Sequence, residues 1–284
     1  MYTKLHLWLL GLAAFFLTFS AFAFESGDVV GYWPADEGRG SRVTDLAGRL
    51  HGTLSVGPEW DGKPHDDAWV EGKFGMGLEF NAGKKWFVLV GTNDKHDALG
   101  KPGTALSVAY WVKTTMRSGK GRTIEKGSSG WTQGWHAAIV GGRPFSEAVD
   151  NVAPGWALQS ATNVADNKWH HVVHVFNLDT LEAKIYVDAK LDGERDISGD
   201  KDISGIDWPI VFGALGNVHE CCGGNEPLMF EFFNGTMDEM AIFSKELDVP
   251  EIEELMDHPI SDMLAVVEPT SKLATFWGAL KVTR

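Results

Sequence analysis

The stretch KWHHVVHVFNLDTLEAKIYVDAKL, Lys168 to Leu191, decides the fold. Its first half puts Trp169, His171, Val173 and Val175 on one parity and His170, Val172, His174 and Phe176 on the other. Both faces are largely apolar or amphipathic, as in a strand at the centre of a sheet. After a polar turn over Asn177 to Thr180, Ala183, Ile185 and Val187 alternate with Glu182, Lys184 and Tyr186, one face for a core and one for water. The pair reads as a β-hairpin. A type I′ turn after Val187 would need positive φ at Asp188 and Ala189, which alanine resists, so the next turn is expected at Asp192-Gly193.

Composition extends this reading to the whole chain. Its 284 residues include 33 glycines, many short alternating runs and one convincing helix, which fits a single all-β domain with many turns. The net charge of −14, with no long basic run, argues against a nucleic-acid partner, since phosphate binding needs clustered cations. At the N-terminus Lys4, a 13-residue apolar run from Leu7 to Phe19 and Ala21-Phe22-Ala23 form a signal-peptide pattern with cleavage after Ala23. A spanning helix needs about 20 apolar residues, and no second hydrophobic span follows, so the mature chain is expected to be secreted or periplasmic without a membrane span. With two cysteines, it must be held by its core rather than by disulfides.

Further strands are expected at Asp28 to Trp33, Met76 to Phe80, Trp86 to Val90, Thr104 to Thr114, Arg122 to Gly127, Gly134 to Gly141, Gly155 to Ala161, Trp208 to Ala214 and Met229 to Phe243. The segment Ser118 to Pro154, rich in glycine and aromatic residues, is expected to make the longest loops and to carry ligand contacts. Asp248, with Glu251 three residues on, caps a short helix whose apolar stripe is Ile252, Leu255 and Met256.

Four stretches in one order carry a family resemblance. VGYWPADEGRG (Val30 to Gly40), LSVAYWVK (Leu106 to Lys113), WHHVV with AKIYVD (Trp169 to Asp188) and NGTMDEMAIFSKEL (Asn234 to Leu247) resemble laminin-G-like domains of the concanavalin A-like lectin/glucanase jelly rolls. The resemblance implies a two-sheet antiparallel jelly-roll sandwich with one short helix after the last strand. The expected organisation is a signal peptide over 1–23, the jelly roll over 24–258 and a C-terminal tail over 259–284. The resemblance also implies calcium on Asp36 and Asp238 with a carbonyl near Asn81, a hard-oxygen set that this ion favours. An ordinary solvated acidic turn stands beside that reading, and the family's asparagine-bearing loop here carries Arg49, Leu50 and His51 instead.

Glucanases of this fold align carboxylates as Glu-x-Asp-x-x-Glu on one strand face, a triplet this chain lacks; Glu194-Arg195-Asp196 has no third carboxylate. No catalytic residue is assigned. His170 and His174 lie roughly 13 Å apart along a strand and His171 points the other way, so the cluster is no chelate. Trp33, Trp111 and Trp169 read as core, whereas Trp131, Trp135 and Trp156, set among glycines and polar residues, are candidates for stacking on a sugar. Cys221-Cys222 admits a strained vicinal disulfide, two free thiols or a link to another chain. The resulting expectation is an exported, non-catalytic module that recognises a glycan or cell-surface polymer. An extracellular protein partner in an adhesion or scaffold role is the alternative, and glycoside hydrolysis comes third.

Overall fold

A computed structural model of the chain describes residues 25–59, 62–127, 133–149, 155–197, 202–205, 207–217 and 228–266. In chain order the strands begin with β1 (Val29–Trp33), β2 (Arg42–Val43), β3 (Gly52–Val56), β4 (Lys63–Pro64), β5 (Trp69–Glu71), β6 (Met76–Phe80) and β7 (Trp86–Gly91). A short helix α1 (Asp94–Asp97) leads into β8 (Ala105–Lys113), β9 (Lys120–Gly127), β10 (Gly134–Val140), β11 (Arg143–Val149) and β12 (Trp156–Gln159). There follow β13 (Trp169–Asn177), β14 (Glu182–Val187), β15 (Lys190–Asp196), β16 (Ile210–Phe212), β17 (Leu215–Asn217), β18 (Leu228–Phe230) and β19 (Gly235–Phe243). Helices α2 (Val249–Asp257) and α3 (Ile260–Val266) close the described chain.

The strands form two antiparallel sheets. The first runs β15-β14-β13-β8-β19-β6-β5 with β1 on β19; the second runs β12-β11-β10-β9-β16-β7-β3-β2 with β4 on β3. The β13–β14 hairpin is as expected, and β13 pairs along its whole length with β8, from Trp169 opposite Lys113 to Asn177 opposite Ala105. The following turn falls at Asp188-Ala189, not at Asp192-Gly193. Both residues take positive φ, 51° and 59°. The Asp188 carboxylate accepts from the His171 N–H at 3.0 Å and meets His170 Nδ1 at 2.8 Å, so tertiary bonds offset the local strain that the alanine imposes.

Segment 118–154 is also corrected. Its described part is mostly a meander of β9, β10 and β11, and β11 was not among the expected strands. Its inward residues join the core between the sheets. There Trp135 is wholly buried and Trp156 nearly so, both packed on Phe176 at ring separations of 6.2 and 5.6 Å. A four-residue polar network crosses the same core. Thr123 Oγ1 donates to Tyr110 Oη at 2.9 Å, Tyr110 Oη meets His174 Nε2 at 2.9 Å, and His174 Nδ1 meets Ser146 Oγ at 2.8 Å. Burial lowers His174 to about 3, so the ring is neutral and bridges the sheets without an internal charge.

The outer face of the first sheet is covered at one end by α2 and α3. Asp248 caps α2 in the expected capping box, with Ile252 and Leu255 buried. The packed region runs past residue 258, because Ile260 and Met263 of α3 are buried on Tyr32, Ala109, Val173 and Ala241. Glu239, at positive φ in a bulge of β19, fastens this cover: its Oε2 accepts from Tyr32 Oη at 2.8 Å and from the Ile260 N–H at 3.3 Å. Its Oε1 is buried without a partner. Burial, with the charges of Asp238 and Asp36 added, pushes Glu239 up to about 8, although the Tyr32 hydrogen bond works the other way.

Two outcomes follow from this packing. Trp135→Ala is expected to lower stability by about 3–5 kcal/mol, read by urea unfolding, because it empties an intersheet site. Glu239 is protonated when folded up to about pH 8 but ionises near 4.3 in the unfolded chain, so its contribution is complete at low pH and is lost as pH rises between those values. Glu239→Gln is therefore expected to flatten the fall in melting temperature between about pH 5 and 8, an effect on the order of a few kcal/mol. An unchanged slope would show that Glu239 ionises normally.

Candidate functional site

Alternation along the strands of segment 118–154 decides what they show to the outside. Thr123 and Ser146 point inward to the His174 network, which turns Arg122 and Glu147 to the outer face of the second sheet. Glu125, His136 and Glu147 lie opposite one another across β9, β10 and β11, forming one row on that face. Beside the row, Arg122 Nε donates to Glu231 at 2.7 Å and Nη2 reaches Glu147 at 3.5 Å. Lys120 Nζ bonds Glu147 at 2.6 Å, lies 3.8 Å from Glu231, and sits 5.1 Å from the centroid of the Phe145 ring. Glu231 also holds Arg122 through the backbone, accepting its N–H at 2.9 Å.

The electrostatics of this box divide by depth. Glu125 is completely buried; its Oε1 accepts from the Gly216 N–H at 2.8 Å and its Oε2 meets His136 Nδ1 at 2.9 Å. Burial raises Glu125 well above the usual carboxylate range and drives His136 well below the usual imidazole value, with Arg122 and Lys120 lowering His136 further. A protonated Glu125 donating to a neutral His136 satisfies both groups. Nearer the surface, burial works to raise Glu147, but Arg122 and Lys120 overcome it and hold the group ionised. The Arg122 side chain is only 3% exposed, and its Nη1 has no hydrogen-bond partner. A buried guanidinium with an unclaimed donor is costly unless something accepts from it.

The residues singled out in the sequence lie elsewhere. Trp135 and Trp156 belong to the core, where a sugar has no access to their rings; alternation puts them on the inward face of β10 and β12. Trp131, Cys221 and Cys222 lie outside the described residues, as do the signal peptide and the tail beyond residue 266. Trp33 is core as expected. Trp111 and Trp169 stand instead on the outer face of the first sheet, Trp111 beneath Lys73 at 4.3 Å and Trp169 half-buried beside Lys113. Arg122 and Glu125, charges within one expected strand, were the available signal for the box; Glu147 lies on β11, which was not among the expected strands.

For calcium, the chain brings Asp36 and Asp238 to one turn at 72–76 but leaves Asn81 at the far end of β6, roughly 17 Å away along the strand. Asp238 Oδ2 accepts from the N–H groups of Lys73 and Phe74 at 2.7 and 2.9 Å, its Oδ1 from Glu239, and Asp36 Oδ1 from Met76. Burial pushes Asp238 up to about 7. Oxygens largely claimed by backbone donors do not supply the six to eight free hard ligands that this ion wants. Among the described residues no group of three or more His, Cys, Asp or Glu is placed to hold a metal. The pair anchors a turn.

An open groove of about 430 Å³ lies on the first sheet, lined by Glu71, Glu79, Lys113, Asn167, Asn234 and Thr236 among others. Its three charged residues make no ion pair among the described residues.

No curated protein matches the sequence significantly. Solved structures do match. The binding domain of Paraclostridial Mosquitocidal Protein 1 aligns with a TM-score of 0.58 at 13% identity, over 81% of this chain and 52% of that one. Two structures of the botulinum neurotoxin DC binding domain, one with rat synaptotagmin II and one with SialylT, align at 0.55 with 16% and 15% identity, each over 82% of this chain. They are covered over 52% and 51%, so the chain spans about half the length of these domains. At such identities the likeness establishes the two-sheet fold. The sequence itself matches a family described as the Concanavalin A-like lectin/glucanases superfamily over residues 88–253. That match takes in more than half of the chain, from β7 to α2 and including every strand of the Arg122 box, and the chain belongs to this superfamily.

Proposed function

We propose that this chain is an exported, non-catalytic module that binds a glycan through the Arg122 face. One observation carries the reading: Lys120, Glu147 and Glu231, each partly exposed at 23–28%, are held in fixed positions around the buried Arg122 guanidinium. Ion pairing has already immobilised these side chains, so a ligand hydroxyl would meet donors and acceptors at fixed positions with little further loss of side-chain entropy. Vicinal hydroxyls, which donate and accept in equal measure, suit a surface that alternates cations with carboxylates. The neighbours lend support, since one botulinum binding domain is solved in complex with SialylT and cell entry of botulinum neurotoxin type C depends on interaction with two ganglioside molecules.

The non-catalytic part rests on Glu125. It shares a face with Glu147, but it is shut off from solvent and engaged by His136 and the Gly216 N–H, so the two do not form an accessible acid and base pair. Export rests on the leader over residues 1–23.

Protein docking is a second reading, favoured by the unpaired Glu71, Glu79 and Lys113 in the groove on the opposite sheet and by a neighbour solved with synaptotagmin II. The large apolar side chains exposed among the described residues, Leu46, Leu191 and Val249, come from three separate segments, which favours the glycan.

The mature chain, tested on an array of oligosaccharides and polysaccharides, is expected to give a saturable signal that Arg122→Lys or Lys120→Ala weakens by about tenfold or more, the scale of a lost charge-assisted hydrogen bond. The variant pair Glu79→Ala and Lys113→Ala should leave it unchanged. Folding of each variant is checked by thermal melting. A signal lost with the groove variants and kept with the Arg122 variants would move the site to the first sheet.

A further inference from the structure

We infer that the groove on the first sheet docks an extended polypeptide segment, which adds to the free edge of β5 and brings a lysine or arginine side chain to Glu71 and Glu79. The inference rests on the protein-docking reading of this groove and names the chemistry of the partner. It stands or falls apart from glycan binding, which uses the other sheet.

Hydrogen bonding fixes which way β5 presents its main chain. The Glu79 N–H donates to the Ala68 carbonyl at 2.7 Å and the Gly72 N–H to the Gly75 carbonyl at 3.0 Å, with Val70 opposite Gly77 between them. In an antiparallel ladder alternate residues bond the partner strand, so Ala68, Val70 and Gly72 turn toward β6. Trp69 and Glu71 turn their N–H and C=O groups the other way. β5 is the last strand on that side of the sheet, and these backbone groups have no partner among the described residues. An unpaired edge is a template for a further strand, and an extended peptide joins a sheet in this way. Val70 and Glu71 also line the groove of about 430 Å³, so a strand added to β5 has the groove beside it.

The charges of the groove choose the side chain. Glu79 stands on the outer face of β6, because Leu78 and Phe80 on either side of it belong to the core, and it lies one strand spacing, about 5 Å, from β5. Glu71 is on β5 itself and is exposed. Neither carboxylate makes an ion pair among the described residues. Lys113, the cation in the lining, is on β8, with β19 and β6 between it and β5. Three spacings put it about 14 Å from that edge, beyond the screening length of about 8 Å at physiological salt. At the edge the two carboxylates therefore prevail, and the overall charge of −14 favours the approach of the same basic partner. A sugar is served less well here. Phe80, the aromatic residue of the lining, is 1% exposed, so the groove offers no open ring on which to stack. The alternating N–H and C=O groups that Trp69 and Glu71 can pair with belong to a polypeptide.

The test is equilibrium binding of the full mature chain to short linear peptides of alternating, β-forming sequence in three matched sets, with lysine or arginine, glutamine, or glutamate at one central position. The basic set is expected to bind about tenfold or more tightly than the glutamine set, with the glutamate set weakest and the preference shrinking as salt is raised. Glu71→Gln and Glu79→Gln are each expected to weaken the basic set about threefold, the scale of one exposed ion pair, and to leave the glutamine set unchanged. Methylating every second backbone amide of the best basic peptide is expected to abolish binding in one phase and not in the other, since alternate amides face β5. Equal binding of the three sets overturns the inference, as does binding that survives methylation in both phases. Binding of no peptide overturns it too. None of these results bears on the glycan reading, whose array signal depends on Arg122 and Lys120. A glycan signal abolished by the Glu79 and Lys113 variants would give the groove to a sugar and overturn the inference from that side. The peptide comparisons use the unaltered chain, so a Gln variant that failed to fold would not shield it.

Discussion

The hydrogen-bonded chain Thr123–Tyr110–His174–Ser146 is the constraint on which the rest of the structure turns. It is a polar tie across a largely apolar interface, with two members from each sheet, and burial keeps its histidine neutral. A polar group between two sheets must find its partner there or cost the full desolvation of an unsatisfied group. That requirement holds β9 and β11 in one register against β8 and β13. A slip of one residue would point Thr123 and Ser146 to solvent and push Arg122 and Glu147 into the core, at a cost the fold could not absorb.

The outer face inherits this precision. With Thr123 and Ser146 committed inward, Arg122 and Glu147 are placed outward; a bulge at Thr123 turns Ile124 inward as well and so puts Glu125 outward, and cross-strand pairing sets His136 between the two glutamates. The face divides into two electrostatic regimes within a few ångströms. Beneath, burial disfavours charge on both Glu125 and His136; above, Arg122 and Lys120 favour the ionised form of Glu147. Rigid ion pairs over a neutral floor make a surface that changes little when a ligand arrives, which suits binding better than chemistry.

The first sheet shows the opposite use of acidic residues. Asp36, Asp238 and Glu239 anchor a turn and a covering helix: backbone N–H groups bond Asp36 Oδ1 and both Asp238 oxygens, and Glu239 Oε2 accepts from the Tyr32 hydroxyl and the Ile260 N–H. Carboxylates gathered at the meeting of first and last strands resemble an ion site when read as a list of residue types. The difference lies in where the backbone donors point, and that is a property of the folded turn.

The sequence alone determined the class of the fold: alternation in residues 168–191, glycine punctuation and four ordered stretches sufficed for a two-sheet jelly roll, and the Asp248 capping box for its helix. These signals are local, and local periodicity is what a strand or a helix cap imposes on the chain. Tertiary structure alone decided the sidedness of segment 118–154 and with it the site. Trp135 and Trp156 looked available because their neighbours are glycines and polar residues, yet the ring goes where alternation and the opposing sheet send it. Arg122, Glu147 and Glu231 are scattered along the sequence. Glu231 lies more than a hundred residues from Arg122, and only the packing of the loop after β18 on β9 brings the two together. Long-range pairing of that kind leaves no periodic trace in the chain.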